Sequence, residues 1–76
     1  MAAPTPNEQH VTMHAEEHGW HVHDRDDLQT AVEFRKRGGR YLRVAFGLNG
    51  HILSAVGPDR PLRRSTSAVL DYLTTH

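Results

Sequence analysis

Residues 30–56 read T-A-V-E-F-R-K-R-G-G-R-Y-L-R-V-A-F-G-L-N-G-H-I-L-S-A-V. The stretch has the form of three antiparallel strands joined by two glycine turns. Side chains of an extended chain alternate between faces, so Val32, Phe34, Leu42, Val44, Phe46, Leu53 and Ala55 are expected on one face. The turns test that pattern. Asn49-Gly50 signals a two-residue type I′ hairpin, which sets Phe46 opposite Leu53 and Val44 opposite Ala55. At the other turn, a two-residue Gly38-Gly39 loop would place Phe34 against Arg43. A three-residue loop, Arg37-Gly38-Gly39, instead pairs Phe34 with Leu42, Val32 with Val44 and Glu33 with Arg43. Gly39 then takes the left-handed conformation. A helix over 24–37 is the rival, since acids lead it and Arg35, Lys36, Arg37 and a glycine close it. Phe34 falls off its Leu28, Ala31, Val32 stripe, and the alternation favours a strand.

The flanks read as helices. Thr5-Pro6-Asn7-Glu8 has the form of a capping box with proline at the first helical position, predicting a helix over 6–18 stopped by Gly19. Residues 1–5 are expected to be disordered. Trp20 and Val22 alternate with His21 and His23 in a short extended segment anchored by the single tryptophan, and 24–27 form a polar turn. After a turn at Gly57-Pro58-Asp59, a helix is predicted over 61–75, with Leu62, Thr66, Val69, Leu70 and Leu73 as its apolar stripe. The expected fold is α+β: a three-stranded antiparallel meander flanked by an N-terminal and a C-terminal helix, in one domain over 6–76.

A chain of 76 residues makes a small core, burying only about 60% of its unfolded surface. It has no cysteine, so it has neither disulfides nor a thiolate zinc site, and a reducing cytoplasm is the default location. No apolar run approaches the roughly 18 residues that span a bilayer, and no signal peptide is visible. Arginine outnumbers lysine eight to one, which suggests a GC-rich genome. The zero net charge hides a segregation. Residues 1–33 hold seven acids and one base, a net of −6, while residues 34–64 hold eight bases and one acid, a net of +7. Such asymmetry points either to an anionic partner or to halves that neutralise each other.

No catalytic constellation stands out. Ser65 and Ser67 fit helix capping, the glycine pairs fit hairpins, and Asp24, Asp26 and Asp27 lack the spacing of a calcium loop. His10, His14 and His18 share one helical face, with His21 and His23 just beyond. His14-Ala15-Glu16-Glu17-His18 is not the metalloprotease pattern, so a hydrated helix face is expected, with no metal and no cofactor.

The order helix, three antiparallel strands, helix resembles double-stranded RNA-binding domains and the HicA-type mRNA interferase toxins. Arg35-Lys36-Arg37-Gly38-Gly39-Arg40-Tyr41 resembles the HicA segment of a basic pair, a glycine, a small residue and the catalytic histidine. Leu62-Arg63-Arg64-Ser65-Thr66 followed by Val69-Leu70 resembles the second helix of those toxins. Arg40 stands where the histidine would be, so this likeness, over the last half of the chain, implies a degenerate relative that does not cleave RNA. Gly50-His51-Ile52-Leu53-Ser54-Ala55 and Val69-Leu70-Asp71-Tyr72-Leu73 resemble segments of short accessory proteins of actinobacteria and their bacteriophages. That likeness implies a regulatory or host-interaction role in a bacterial cytoplasm.

The expected function is therefore a non-enzymatic binding module. Arg35, Arg37, Arg40 and Arg43 on the hairpin, with Arg60, Arg63 and Arg64 at the start of the last helix, are the candidate contacts to DNA or RNA. Tyr41, Ala45, Ile52 and Val56, on the second face of the sheet, are the candidate surface for a protein partner or a homodimer.

Overall fold

The computed structural model describes residues 4–28 and 30–76. Its elements are α1 (Pro6–Glu17), β1 (His21–Asp26), β2 (Ala31–Lys36), β3 (Arg40–Phe46), β4 (Ile52–Val56) and α2 (Thr66–Thr75). The strands form one antiparallel meander in the order β1-β2-β3-β4. The architecture is α+β with a helix at each end, but the sheet has four strands rather than three. The added strand continues the short extended segment at 21–23 through most of the stretch expected to be a polar turn. Its residues, His21-Val22-His23-Asp24-Arg25-Asp26, lack apolar alternation because β1 is an edge strand that is mostly exposed. Charged side chains and a bulge between Val22 and Asp24 are common ways to keep such an edge from pairing further. The rival helix over 24–37 does not form.

The β2–β3 hairpin has the expected register: Val32 opposite Val44, Glu33 opposite Arg43, Phe34 opposite Leu42 and Lys36 opposite Arg40. Gly38 and Gly39 both sit at positive φ, +83° and +76°. The second hairpin differs. Asn49 does not take the positive φ that a type I′ turn needs. Instead Gly50 N–H donates to Gly47 O at 2.9 Å, and Gly47 N–H donates to His51 O at 2.7 Å. The loop is thus the three residues 48–50, closed by Gly50 at φ +87°. It docks onto the start of α1: Asn7 Nδ2 donates to Gly50 O at 2.8 Å. A Cβ on Gly50 would lie 2.9 Å from Thr5 Oγ1.

This loop sets Ile52, not Leu53, opposite Phe46, and a bulge then restores Val44 opposite Ala55. The expected faces of these two residues are therefore exchanged. Ile52 is 7% exposed and belongs to the core, whereas Leu53 is 56% exposed. Ile52 drops out of the second-face surface.

The core joins Val32, Phe34, Leu42, Val44, Phe46, Ile52 and Ala55 of the sheet to Val11 and Ala15 of α1, Val69 and Leu73 of α2, and Trp20. Both helices thus lie on one face of the sheet. They run side by side in the same direction. Asn7 meets Thr66 at their starts, at 3.1 Å. Further along, His14 Nε2 lies 3.2 Å from Leu70 O and 2.8 Å from Thr74 Oγ1. The Leu70 carbonyl already accepts from the Thr74 hydroxyl, so His14 carries its proton on Nε2 and donates to both oxygens. Trp20 is the anchor that the sequence suggests. Its indole N–H donates to Leu73 O at 3.0 Å, and Lys36 Nζ sits over its ring, 5.4 Å from the centroid.

Thr5 lies within the segment expected to be disordered, yet it caps α1, accepting from Glu8 N–H at 3.3 Å; residues 1–3 lie outside the described residues. The other end of α1 closes with Gly19 at φ +88° and Trp20 N–H bonded back to Ala15 O, a Schellman stop. Only half of the capping box forms. The Glu8 carboxylate is buried instead against Arg25 of β1, with Nε–Oε2 at 2.8 Å and Nη2–Oε1 at 3.2 Å. Breaking such a buried pair from one side costs about 3–5 kcal/mol, because the remaining charge has no compensation. Arg25→Ala should therefore lower the urea midpoint severely, while a Glu8→Leu, Arg25→Leu double variant should recover much of the loss.

α2 begins five residues later than expected. Ser65 is its N-cap, accepting from Ala68 N–H at 3.2 Å. Residues 61 and 62 run antiparallel along the free edge of β4, through a Val56–Pro61 bridge and a Leu62 N–H to Ala55 O bond of 2.7 Å. Leu62 fits the helical stripe by spacing but reaches the core from extended chain.

Candidate nucleic-acid interface

In a meander, neighbours in sequence are neighbours in space. The acidic part of the chain therefore stays on α1, β1 and the start of β2, while the bases lie on the end of β2, its turn, β3 and the 60–64 segment beyond β4. Four ion pairs form among the described residues. Arg25 joins Glu8 and Asp27, while Arg35 and Arg43 both reach Glu33, at 2.6 and 3.9 Å. Arg25 is the one base of the acidic segment and is used within it. Glu33, at the boundary, is the only carboxylate among the described residues that pairs across. Among the described residues Lys36, Arg37, Arg40, Arg60, Arg63 and Arg64 pair with no side-chain carboxylate. Mutual neutralisation of the two halves is thus confined to one residue.

The seven candidate arginines do not form one patch. Arg35 and Arg43 lie on the helix-free face with Tyr41, in the rows His21–Arg35–Tyr41 and Asp24–Glu33–Arg43–Val56. Arg37 is in the exposed β2–β3 turn. Arg40 lies on the helix side of the same hairpin and donates to the backbone carbonyl of His76. Arg60, Arg63 and Arg64 precede the helix rather than begin it, and Ser65 occupies its capping position. Lys36 belongs with this group. The run Arg35-Lys36-Arg37 could have signalled it, but strand alternation turns it towards Trp20.

Tyr41, Ala45 and Val56 remain on the helix-free face. Leu53, turned outward by the bulge, takes the place expected for Ile52, and Glu33 with its two arginines crosses this surface. No group of three or more His, Asp or Glu side chains among the described residues is arranged to hold a metal ion. His18 Nδ1 donates to His14 O at 2.8 Å. No described helix is long and apolar enough to cross a membrane.

The sequence does not disclose a cleft of about 570 Å³ between the 57–63 segment and α2. Asp59, Arg60, Arg63, Asp71, Tyr72 and His76 contribute to its walls. The Tyr72 and His76 rings are stacked, 4.0 Å between centroids and 10° apart in plane. Gly57 lets the phenol in close, since a Cβ there would lie 3.1 Å from the Tyr72 hydroxyl.

Burial is the main cause that raises Tyr72 above the usual phenol value of 10.0; Asp59 adds to it and Arg40 opposes it. A pKa higher in the folded than in the unfolded chain stabilises the fold below the unfolded value, and this contribution is lost as pH rises through the folded one. The unfolding free energy should therefore fall as pH is raised past 10.0. Urea melts should show a smaller alkaline loss for Tyr72→Phe.

No family model, no curated protein and no solved structure matches the chain.

Proposed function

We propose that the chain is a non-enzymatic binding module that takes nucleic acid through the bases of its β2–β3 hairpin and of the 60–64 segment, in an accessory or regulatory role. The observation that carries this reading is the set of six basic side chains, on the β2–β3 hairpin and the 60–64 segment, that pair with no side-chain carboxylate among the described residues. Unpaired arginines provide forked donors for phosphate oxygens, and phosphate contacts of this kind supply sequence-independent affinity. Docking of a second copy or another protein on Tyr41, Ala45 and Val56 is the weaker reading, because the Glu33 ion pairs with Arg35 and Arg43 cross that face.

Fluorescence anisotropy with labelled random-sequence oligonucleotides at low salt tests the proposal. Binding should be measurable and should weaken in Arg37→Ala and Arg64→Ala, two substitutions at exposed positions. No binding at low ionic strength would overturn it. Intact RNA after prolonged incubation is the expected companion result, since an arginine at position 40 is a poor general base at neutral pH.

A further inference from the structure

The cleft beside α2 combines three features that a nucleotide needs and that no other described surface brings together. It has room, since small-ligand sites commonly span about 300–1,000 Å³ and this one holds about 570 Å³. It has an aromatic wall in the stacked Tyr72 and His76 rings. It has two arginines, Arg60 and Arg63, that form no ion pair among the described residues. The acids in its walls, Asp59 and Asp71, give the space a polarity, because a phosphate is drawn to the arginines and repelled by the carboxylates.

We propose that this cleft receives one unpaired nucleotide of a single strand, its base on the outer face of His76, which Tyr72 backs, and its flanking phosphates on Arg60 and Arg63. The inference rests on the nucleic-acid reading above and narrows it from any polyanion to single strands. In a duplex the bases are already stacked and paired, and only the backbone is offered. A single strand can turn a base out onto an aromatic side chain, and sequence-tolerant stacking of this kind is a common basis of single-strand recognition. The carboxylates add a preference. Asp side chains accept from exocyclic amino groups, which cytosine, adenine and guanine carry and thymine and uracil lack. An oligo-dC strand should therefore bind more tightly than an oligo-dT strand of the same length.

The test compares labelled single strands with duplexes of equal length by anisotropy at low salt, in the wild type and in Tyr72→Leu and Tyr72→Phe. Single strands should bind more tightly than duplexes. Tyr72→Leu, which removes the ring that holds His76 in place, should lose roughly tenfold in single-strand affinity, the order expected for losing one base stack, and should leave duplex affinity in place. Tyr72→Phe, which keeps the ring, should lose less. Should Tyr72→Leu fail to fold, an Asp59→Ala, Asp71→Ala double variant at exposed positions reads the same site through the dC/dT ratio, which should fall towards one. Equal binding of duplex and single strand, or binding that responds to Arg37 and Arg64 but to neither Tyr72 nor the two aspartates, would overturn the cleft and leave the nucleic-acid reading standing. No binding of either form would overturn both.

Discussion

Raising monovalent salt fourfold, from about 50 to about 200 mM, is expected to weaken nucleic-acid binding by roughly 10³-fold. The slope of log K against log salt is about −0.9 per phosphate neutralised on duplex DNA. Among the described residues six bases pair with no side-chain carboxylate: Lys36, Arg37, Arg40, which donates to the His76 main chain instead, Arg60, Arg63 and Arg64. If each neutralises one phosphate, the slope is about −5 and the fourfold change gives that loss. Arg35 and Arg43 should add little, because releasing them from Glu33 offsets what a phosphate returns. The Arg63→Ala, Arg64→Ala double variant should flatten the slope by about two and lower affinity to a similar extent on every sequence. Both residues precede the Ser65 cap, so the substitutions leave α2 capped. A salt-independent interaction, or a slope unchanged in the double variant, would show that phosphates are not what this surface binds.

How far the fold could be read from the sequence depended on whether the deciding contact was local. The β2–β3 register was legible because three constraints converge on it: apolar side chains meet, Glu33 meets Arg43, and the glycines permit the three-residue loop. The β3–β4 turn was not, because two- and three-residue loops both place Gly50 at the tip. The choice between them is made by Thr5 and Asn7, more than forty residues away in sequence, against which Gly50 is packed. Glu8 misled in the same way. A capping box explained it locally, but its carboxylate is held by Arg25 on another element. β1 was legible only as a short extended segment to His23, because its second half, Asp24-Arg25-Asp26, has the composition of a turn. The basic half of the candidate site was legible as a charge count, and the meander preserved the segregation in space. The cleft was not, since Asp59, Arg60 and Tyr72 meet only when the 57–62 segment doubles back along β4.

The exchange of Ile52 and Leu53 leads to the sharpest expectation for stability. Ile52→Asp should unfold the protein, and Leu53→Asp should not. The first substitution forfeits about 1.5–3 kcal/mol of side-chain burial and forces a carboxylate into the layer between Phe46 and the helices, where an unpaired charge costs several kcal/mol more. Folded domains retain roughly 0.05–0.15 kcal/mol per residue, so a chain of this size has little left after such a loss. Leu53 points outward from the bulge, more than half exposed. A change there should stay within about 1 kcal/mol, as surface substitutions do. Far-UV circular dichroism and urea titration of the two variants separate the cases. The reverse order, with Leu53→Asp unfolded and Ile52→Asp native, would mean that the hairpin closes through a two-residue Asn49-Gly50 turn. Ile52 would then return to the helix-free face beside Tyr41 and Val56, and docking of a second copy there would regain its apolar centre.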